Sequence, residues 1–333
     1  MASHLITHRQ RLEDCVSGNQ PDRPPVALWR HFPVDDQTPD GLAAATLEFQ
    51  HLYDFDLVKV TPASSFCLKD WGVEDTWRGA TEGTREYTKR IIHQPDDWGK
   101  LPVLDAYRGY LSDQLTCLEL ITRELGSATP VIQTIFNPLS QAKNLAGNSL
   151  LITHLRKYPE ALHEGLRVIA ESTIQFIDAA IKTGIAGIFY AVQHASYSLL
   201  NEQEYRAFGS AYDRAILASV NKLWLNMLHL HGNEVMFDLI AEYPVQVINW
   251  HDRDTSPNLS EASKRFSGVL CGGLQREDTM VLGTPQRVTA EATDAIVTTG
   301  GIRFILGTGC VLPTIAPRGN IRAAREAVDL RIG

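Results

Sequence analysis

Hydrophobic and polar residues follow one pattern that recurs eight times along the chain. In each repeat, a short apolar run rich in β-branched residues precedes polar, Gly or Pro residues and then a longer segment of helical periodicity. The apolar runs are 26–29, 57–60, 131–135, 188–192, 227–230, 245–250, 268–271 and 303–306. Strands that alternate with helices pair in parallel through right-handed crossovers. Eight such units favour a closed barrel over an open sheet, so the predicted fold is an α/β single (β/α)8 TIM barrel.

Two regions depart from the simple repeat. Residues 1–25 are predicted to form an N-terminal helical or irregular lead-in before the first strand. Residues 66–129 are long for one crossover and predict a hairpin around 76–92 and extra helices, inserted after strand two. Helices are predicted at 161–183 and 202–228. Without a linker or an internal repeat, residues 1–333 are expected to form one barrel domain.

Composition and charge indicate which class of molecule the protein binds. Of the 333 residues, 44% are hydrophobic and 21% are charged, and the formal net charge is -8. Nucleic acids and anionic membranes require a basic surface, so we expect a small-molecule substrate instead. The chain has no signal-peptide pattern and no apolar run near the roughly 20 residues that span a bilayer, which predicts a cytoplasmic protein. Its five scattered cysteines favour free thiols over disulfides.

Polar side chains collect just after the predicted strands, which is where barrel enzymes carry out catalysis. The residues at these positions include Trp29, Arg30, His31, Thr61, Asn137, Gln193, His194, His229, His231, Trp250, His251, Asp252, Gln275 and Cys310. Four of the eleven histidines follow strands four to six, whereas a solvated surface would scatter them. We therefore expect the active site at this end of the barrel.

His229 and His231 form the sharpest local pattern. Side chains on a strand alternate between faces, so the two imidazoles point the same way while Leu230 points to the other side. This arrangement suits a tetrahedral zinc ion, and it also fits two histidines that are hydrogen-bonded at the barrel mouth. Cys310 is either a buried small side chain or a third ligand. Its place in a loop after Gly307-Thr308-Gly309 favours the ligand.

From about Asp54 to the C-terminus, the chain resembles the uroporphyrinogen decarboxylase superfamily. The segments that carry the resemblance are YDFDLVKVTP (53–62), LNEQEY (200–205), GTPQRV (283–288), FILGTGC (304–310) and PRGNIRA (317–323). The last three are the most specific, because they reproduce the family's final strand, ligand loop and closing helix in order. The superfamily also contains zinc methyltransferases that move methyl groups between corrinoid proteins and thiols. The resemblance implies a (β/α)8 barrel, in agreement with the strand count.

The motifs of true uroporphyrinogen decarboxylases are only partly present. That branch carries two arginines in the first-strand motif, an aspartate at the end of strand two and a histidine after strand eight. Here the corresponding positions hold Arg30 alone, Thr61 and Cys310. A polycarboxylate pocket without its basic cluster lacks the charge-assisted pairs that give specificity. The sequence therefore disfavours this function.

The methyltransferase branch resembles the chain better. Its zinc ligands are a His-x-Cys after strand five and a Cys after strand eight, which correspond here to His229, His231 and Cys310. The resemblance thus implies a zinc ion held by these three residues, with His231 in place of a cysteine. Because a neutral imidazole replaces one thiolate, the site is one unit more positive and favours Lewis-acid chemistry. The methyl acceptor of such a site need not be a thiol.

The remaining candidates are assigned by their place at the barrel mouth. The catalytic candidates are His251, His194 and Asp252, and the substrate-binding candidates are Trp29, Arg30, His31, Gln193, Tyr197 and Trp250. His251 is expected as a fourth ligand, with Asp252 as the competing choice, or else as a general base. For all of these residues, a satisfied hydrogen bond or simple packing is the alternative explanation.

These observations predict a zinc-dependent methyltransferase with an open coordination position for the substrate. The alternative is a metal-free, uroporphyrinogen decarboxylase-like carboxy-lyase in which Arg30, His31 and His194 bind substrate carboxylates. A third option is a barrel that binds a corrinoid or porphyrin-like ligand without catalysis. The chain has no D-x-H-x-x-G corrinoid motif, so any corrinoid would arrive on a partner protein. Homodimers are common in the superfamily, but the sequence carries no surface signal for one.

Overall fold

The computed structural model describes residues 6–330 as an α/β protein. The strands are β1 (Val58–Val60), β2 (Glu74–Thr76), β3 (Glu86–Lys89), β4 (Val131–Phe136), β5 (Gly187–Val192), β6 (Met227–Leu230), β7 (Val247–Trp250), β8 (Val269–Leu274) and β9 (Phe304–Thr308). The helices are α1 (His8–Ser17), α2 (Pro39–Tyr53), α3 (Gly109–Leu125), α4 (Pro138–Ala146), α5 (Asn148–Lys157), α6 (Pro159–Ile181), α7 (Glu202–Tyr205), α8 (Ala211–Ser219), α9 (Phe237–Ala241), α10 (Leu259–Ala262), α11 (Pro285–Thr299) and α12 (Arg318–Ala327). Within residues 6–330, no helix has both the length and the apolar character needed to cross a bilayer.

Seven of the strands form one parallel sheet. Its order is β1-β4-β5-β6-β7-β8-β9, and every neighbouring pair is parallel. All residues in these strands are buried, as expected of a parallel sheet covered on both faces. The seven strands correspond to the second through eighth predicted runs, and their ends differ from the predicted ends by at most three residues.

The first predicted run, 26–29, does not form a strand. Val26 makes one isolated parallel bridge with Leu306 of β9. The Ala27 amide donates to the Leu306 carbonyl over 2.9 Å, and the Asp56 amide donates to the Val26 carbonyl over 2.9 Å. The segment therefore lies between β9 and the residues just before β1, with too few ladder bonds to count as a strand. In the described part of the chain the sheet has seven strands, not the predicted eight.

The region between β1 and β4 contains the predicted insertion. β2 and β3 form an antiparallel hairpin, and α3 and the 3-10 segments Lys69–Trp71 and Pro95–Lys100 complete the region. Of the predicted lead-in, residues 6–25 contain the helix α1, and residues 1–5 lie outside the described residues. The predicted helix 202–228 is too long: α7, a π-helical segment (Arg206–Ser210) and α8 end at Ser219. The side-chain amide of Asn226 then donates to the carbonyls of Val220 and Leu223, at 3.1 and 3.2 Å, and so fixes the turn into β6.

A buried carboxylate ties the lead-in to the amino end of the sheet. Asp56 is fully buried and accepts hydrogen bonds from Arg11 at 2.6 Å, Arg23 at 2.7 Å and the Val26 amide at 2.8 Å. Burial would raise the pKa of Asp56, but His8, Arg23 and Arg11 hold that pKa well below its usual range. This network anchors the amino end of the sheet, opposite the carboxyl end, where the predicted site residues lie.

Candidate metal centre

Four side chains with metal-binding atoms converge at the carboxyl end of the sheet. His229 lies in β6 and His231 follows that strand by one residue, whereas His251 follows β7 and Cys310 lies two residues after β9. One ligand atom from each of the four lies within 4.8 Å of all the others. We call these four residues the donor cluster. It combines three imidazoles with one thiol, the ligand types that zinc prefers.

Strand alternation brings the three imidazoles together. The ring centroids of His229 and His231 are 5.8 Å apart, and Leu230 between them is fully buried in the core. On the neighbouring strand, Asn249 pairs in register with His229. Two residues farther on, His251 reaches the same side, with its ring centroid 5.4 Å from that of His231. The period of two along adjacent parallel strands accounts for all three imidazoles.

The loop after β9 supplies the thiol. Cys310 Sγ lies 3.8 Å from His231 Nδ1. A Cβ atom at Gly309 would lie 2.7 Å from the Cα of His251 and 2.7 Å from the carbonyl oxygen of Trp250. Only a residue without a side chain permits this approach of two backbones. Gly309 therefore sets how close Cys310 comes to His251.

Asn249 fixes the orientation and tautomer of His229. Its amide nitrogen donates to the carbonyls of Cys271 and Thr308, at 2.9 and 3.0 Å, so its oxygen must face the imidazole. His229 Nδ1 lies 2.7 Å from that oxygen and therefore carries the proton. Nε2 of His229 is buried, has no hydrogen-bond partner among residues 6–330 and keeps a free lone pair. A histidine binds a metal ion through a ring nitrogen that carries no proton. The other ring nitrogen usually donates a hydrogen bond that orients the ring.

Burial and mutual charge set the protonation of the donor cluster. Burial lowers the pKa of His229 and favours its neutral form. Burial alone would raise the pKa of Cys310, but the adjacent imidazoles, His229 first, lower that pKa well below its usual range. Burial also acts to lower the pKa of His251, but Cys310 and Asp254 outweigh it and raise that pKa. A neutral imidazole beside a thiolate is the state that binds a metal ion.

A cavity of about 460 Å³ opens onto the donor cluster, with His229, His231 and Cys310 in its lining. The lining also includes Trp29, His31, Lys59, Arg90, Lys143, Phe189 and Gln193. A cavity of this size with aromatic walls and a few polar groups is typical of a small-molecule site.

The predicted substrate-binding residues divide into two groups. Trp29, His31 and Gln193 line the cavity, and burial lowers the pKa of His31 to about 3. Arg30, Tyr197 and Trp250 are not among its lining residues in the described chain. For Arg30 and Trp250, alternation along an extended backbone explains this placement, because their neighbours Trp29, His31 and His251 face the site.

The three residues outside the cavity have other contacts. Arg30 donates to the Thr314 carbonyl at 3.3 Å. Trp250 is fully buried and donates from its indole nitrogen to the Pro257 carbonyl at 2.8 Å. Tyr197 is 57% exposed, so its ring is largely in solvent. These three positions do not support contacts with a ligand in this cavity.

Two predicted catalytic residues lie outside the donor cluster. The Asp252 carboxylate accepts hydrogen bonds from the Gly273 amide at 3.0 and 3.2 Å, and burial raises the pKa of Asp252 to about 7. His194 is buried, with Nε2 3.3 Å from the Asn148 side-chain oxygen, and burial lowers its pKa to about 3. Of the two residues considered for a fourth ligand, the geometry favours His251 over Asp252.

Sequence reasoning missed Asn249 and the cationic residues of the cavity. Lys59 lies in the middle of β1, and its side chain is buried. A lysine inside an otherwise apolar strand is a signal that the sequence carried, because lysine is almost never fully buried without a partner. Lys143 and Arg90 had no such signal, because they lie in a helix and in the insertion, where charged residues are ordinary.

Comparison with protein families and curated proteins gives consistent matches. The sequence model of the family "Uroporphyrinogen decarboxylase (URO-D)" matches residues 7–330. The "Methylcobamide:CoM methyltransferase MtaA" of Methanosarcina barkeri is 23% identical over 237 residues, which span 70% of this chain and 68% of that protein. A "Uroporphyrinogen decarboxylase" of Idiomarina loihiensis is 23% identical over 233 residues, which span 65% of this chain and 62% of that protein.

Solved structures agree on the fold. A methyltransferase from Methanosarcina mazei superposes with a TM-score of 0.86 at 19% identity, covering 98% of this chain and 99% of that chain. A B12-independent methionine synthase from Shewanella sp. W3-18-1 superposes with a TM-score of 0.55 at 12% identity, covering 93% of this chain and 94% of that chain. At these identities the likeness concerns the fold alone.

Proposed function

This chain belongs to the uroporphyrinogen decarboxylase (URO-D) family, and on that premise we propose that it is a zinc-dependent methyltransferase. The observation that carries the proposal is the donor cluster, in which three imidazoles and one thiol share a space 4.8 Å across at the cavity. Similarity to methylcobamide:CoM methyltransferases supports methyl transfer as the reaction. The methyl group is carried by a corrinoid or by a small molecule.

The residues present fit a zinc ion. The buried Nε2 atoms of His229 and His251 have no hydrogen-bond partner in the described part of the chain, and an unpaired buried nitrogen is costly unless something binds it. His229, His231 and Cys310 would hold the ion, and His251 would complete a tetrahedral set. A bound zinc supplies Lewis acidity that activates the methyl acceptor or polarises the donor.

His251 is the ligand that we expect a substrate to displace. His229 is held by a short hydrogen bond to Asn249, whereas the nearest anchor of His251 Nδ1 is Asp254 at 3.7 Å. His251 also lies after the end of β7 rather than within a strand. The weaker anchoring makes His251 easier to move than His229, and its departure would create the open position that catalytic zinc sites require.

In the proposed transfer, the methyl group leaves its donor without the bonding electrons and joins a lone pair of the acceptor. If the donor is a methylcorrinoid, the corrinoid would keep the electron pair of the bond that breaks, and a protonated acceptor would give up its proton to bulk solvent as it binds. Residues of the cavity exclude water from this exchange. We propose that a corrinoid, where used, is delivered by a partner protein, as the similarity to methylcobamide-dependent relatives suggests.

We further propose that the chain is one domain whose sheet closes into a barrel. Segment 26–29 would act as the eighth strand, because Ala27 bonds to Leu306 on one side and Val26 bonds to Asp56 on the other. Likeness to the Methanosarcina mazei methyltransferase over 98% of the chain supports a single architecture from end to end.

The alternative function is a metal-free decarboxylase, supported by similarity to uroporphyrinogen decarboxylases. Its substrate contacts would include His31, which lines the cavity. Arg30, the arginine expected to bind carboxylates, is turned away and bonded to Thr314. Nothing in a decarboxylase mechanism calls for a thiol among three histidines, so we prefer the metal-dependent proposal.

Metal analysis of protein purified without added metal tests the proposal. We expect about one zinc per chain, and a sharp loss in His229→Ala and Cys310→Ala. The matched control is Cys117→Ala, which removes a buried free thiol in α3, remote from the donor cluster. Methyl transfer from methylcobalamin, followed by the cobalt absorption spectrum, should fall in step with zinc content. Metal-free protein that decarboxylates a polycarboxylate would instead establish the alternative.

A further inference from the structure

A lysine that the proposed methyl transfer does not use lies inside the sheet. Lys59 is the middle residue of β1, between Val58 and Val60, and all three residues are buried. Because side chains alternate along a strand, Lys59 faces the opposite side from the two valines. That side is the cavity, whose lining includes Lys59. β1 therefore places a primary amine in the interior of the protein, next to a space that holds a small molecule.

The amine of Lys59 has a single hydrogen-bond partner among residues 6–330. Nζ donates to Thr61 Oγ1 at 3.2 Å. The Thr61 hydroxyl donates in turn to the Lys59 carbonyl at 3.2 Å, so its oxygen acts as the acceptor toward Nζ. When the amine is uncharged, this contact uses one N–H bond and leaves the nitrogen lone pair free to react.

Aromatic rings surround the same amine. Nζ of Lys59 lies 4.4 Å from the ring centroid of Phe189 and 5.9 Å from that of Trp29, and both of these side chains are buried. Lys59 takes part in none of the ion pairs found among residues 6–330. A buried ammonium ion without an anionic partner is costly. These surroundings therefore favour the uncharged amine over the ammonium ion.

Other charges along the cavity do not provide a carboxylate for Lys59. Glu82, the acidic residue of the described lining, is paired with Arg276. The other cations of the lining are Arg85, Arg90 and Lys143, and like charges disfavour a further ammonium ion. Burial lowers the pKa of Lys59 to about 7 and outweighs the Cys310 thiolate, which acts in the opposite direction. About half of this amine is therefore unprotonated at neutral pH.

We propose that Lys59 is a nucleophile that forms a Schiff base with an aldehyde or ketone in the cavity. The lone pair on Nζ forms a bond to the carbonyl carbon as the π electrons move to the carbonyl oxygen. Both hydrogens of the amine then pass to that oxygen, which leaves as water, and a C=N bond remains. Desolvated lysines in apolar pockets are suited to this chemistry. The inference goes beyond methyl transfer and needs no metal ion.

Reductive trapping at neutral pH tests the inference on the full chain. The probe is benzaldehyde, a neutral carbonyl compound, with sodium cyanoborohydride to reduce the C=N bond to a stable amine. Peptide mass spectrometry then locates the attached benzyl groups. We expect Lys59 to be labelled on the order of 100-fold faster than the exposed Lys222, because a typical exposed lysine is almost entirely protonated at this pH. Without reductant, removal of benzaldehyde should restore the parent mass, because water hydrolyses the imine.

The pH dependence of labelling gives a second readout. The rate at Lys59 should rise as the amine loses its proton and level off above about pH 8, one unit above its pKa of about 7. Labelling of typical lysines should continue to rise toward pH ~10. A rate at Lys59 that follows the typical lysines would contradict an activated amine.

Variants separate this inference from the proposed function. Lys59→Met should lose the fast label and keep the zinc content of the parent. The matched control is Lys143→Met, which removes a second lysine of the cavity, bound to Gln193 at 2.9 Å, and should keep the label on Lys59. Equal labelling of Lys59 and Lys222, or a fast label that survives Lys59→Met, overturns the inference. Fast labelling of Lys59 in a protein that holds no zinc supports the inference and counts against the proposed function alone.

Discussion

At the scale of single residues, Asn249 controls whether the donor cluster is ready for a metal. It fixes the proton of His229 on Nδ1 and is itself held by two backbone carbonyls. We predict that Asn249→Leu, which keeps the volume and removes the acceptor, lowers zinc affinity about 10- to 100-fold. Competition with a colorimetric zinc chelator measures this loss.

The control for Asn249→Leu is the same substitution at a remote buried asparagine. Asn320 also donates to two backbone carbonyls, those of Met280 and Gly283, and lies in α12, away from the donor cluster. Asn320→Leu should reduce stability and leave zinc affinity unchanged. Equal affinities in the two variants would mean that Asn249 has only a structural role.

The alternation of side chains explains which residue predictions the structure supports. Adjacent residues of an extended chain face opposite sides, so Trp29 and His31 in the cavity put Arg30 outside it. By the same rule, His251 faces the donor cluster and Trp250 packs in the core. The sequence contained this information. The prediction assigned every polar residue at a strand end to the site and did not apply the alternation of side chains. The contact of Cys310 with His231 depends on a loop and on Gly309, and no local pattern specifies such a distance.

At the scale of elements, the seven strands of the sheet were predictable because they are buried on both faces. Continuous apolar runs such as Ile188–Val192 have few other interpretations when helices flank them. Segment 26–29 is similarly apolar, but it makes one backbone hydrogen bond to β9, through Ala27, and one to the residues before β1, through Val26. Trp29 accepts its hydrogen bond from Leu312, beyond the end of β9. The end of α8 was missed because apolar residues continue through Leu223 and Leu225 toward β6, which keeps the helical pattern beyond the real end of the helix.

Hydrogen exchange tests whether segment 26–29 closes the barrel. The amides of Ala27 and Asp56 form the hydrogen bonds on the two sides of this segment, and the Leu306 amide donates to the Pro25 carbonyl just before it. If the barrel closes in solution, they should open only with the core and exchange at least roughly 100-fold more slowly than amides of the β2–β3 hairpin. That hairpin has mostly exposed residues and serves as the internal reference. Equal exchange rates for the Ala27 amide and the hairpin amides would contradict closure and indicate an open sheet of seven strands.

At the scale of the whole molecule, the two ends of the sheet differ in how well their buried polar groups are paired. The amino end is tied by Asp56 and its cationic partners. Within the residues that the structure describes, the carboxyl end holds buried nitrogens without hydrogen-bond partners, and the cavity there is lined by a lysine without a counterion. Such unsatisfied groups lower stability, and proteins retain them where a ligand compensates. The stability of the molecule should therefore depend on what is bound at the carboxyl end.

Zinc removal should accordingly destabilise the whole chain. The donor cluster joins β6 to the ends of β7 and β9, so an ion bound there holds three segments of the sheet together. With free zinc at 1,000 times its dissociation constant, binding adds about 4 kcal/mol to the free energy of unfolding. For a chain of this length, a strong chelator should lower the midpoint of thermal unfolding by roughly 5–10 °C. Differential scanning calorimetry with and without chelator measures this shift.

The comparison that decides the interpretation is between variants. Cys310→Ala already lacks a ligand, so its midpoint should be lower from the start and should not respond to chelator. Cys117→Ala loses a thiol of similar burial outside the donor cluster and should respond as fully as the parent. If Cys310→Ala responds to chelator as strongly as Cys117→Ala does, the stabilising ion is bound elsewhere and the donor cluster is not the metal centre. The response of these two cysteine variants therefore links the geometry of four side chains to the cooperative unfolding of the molecule.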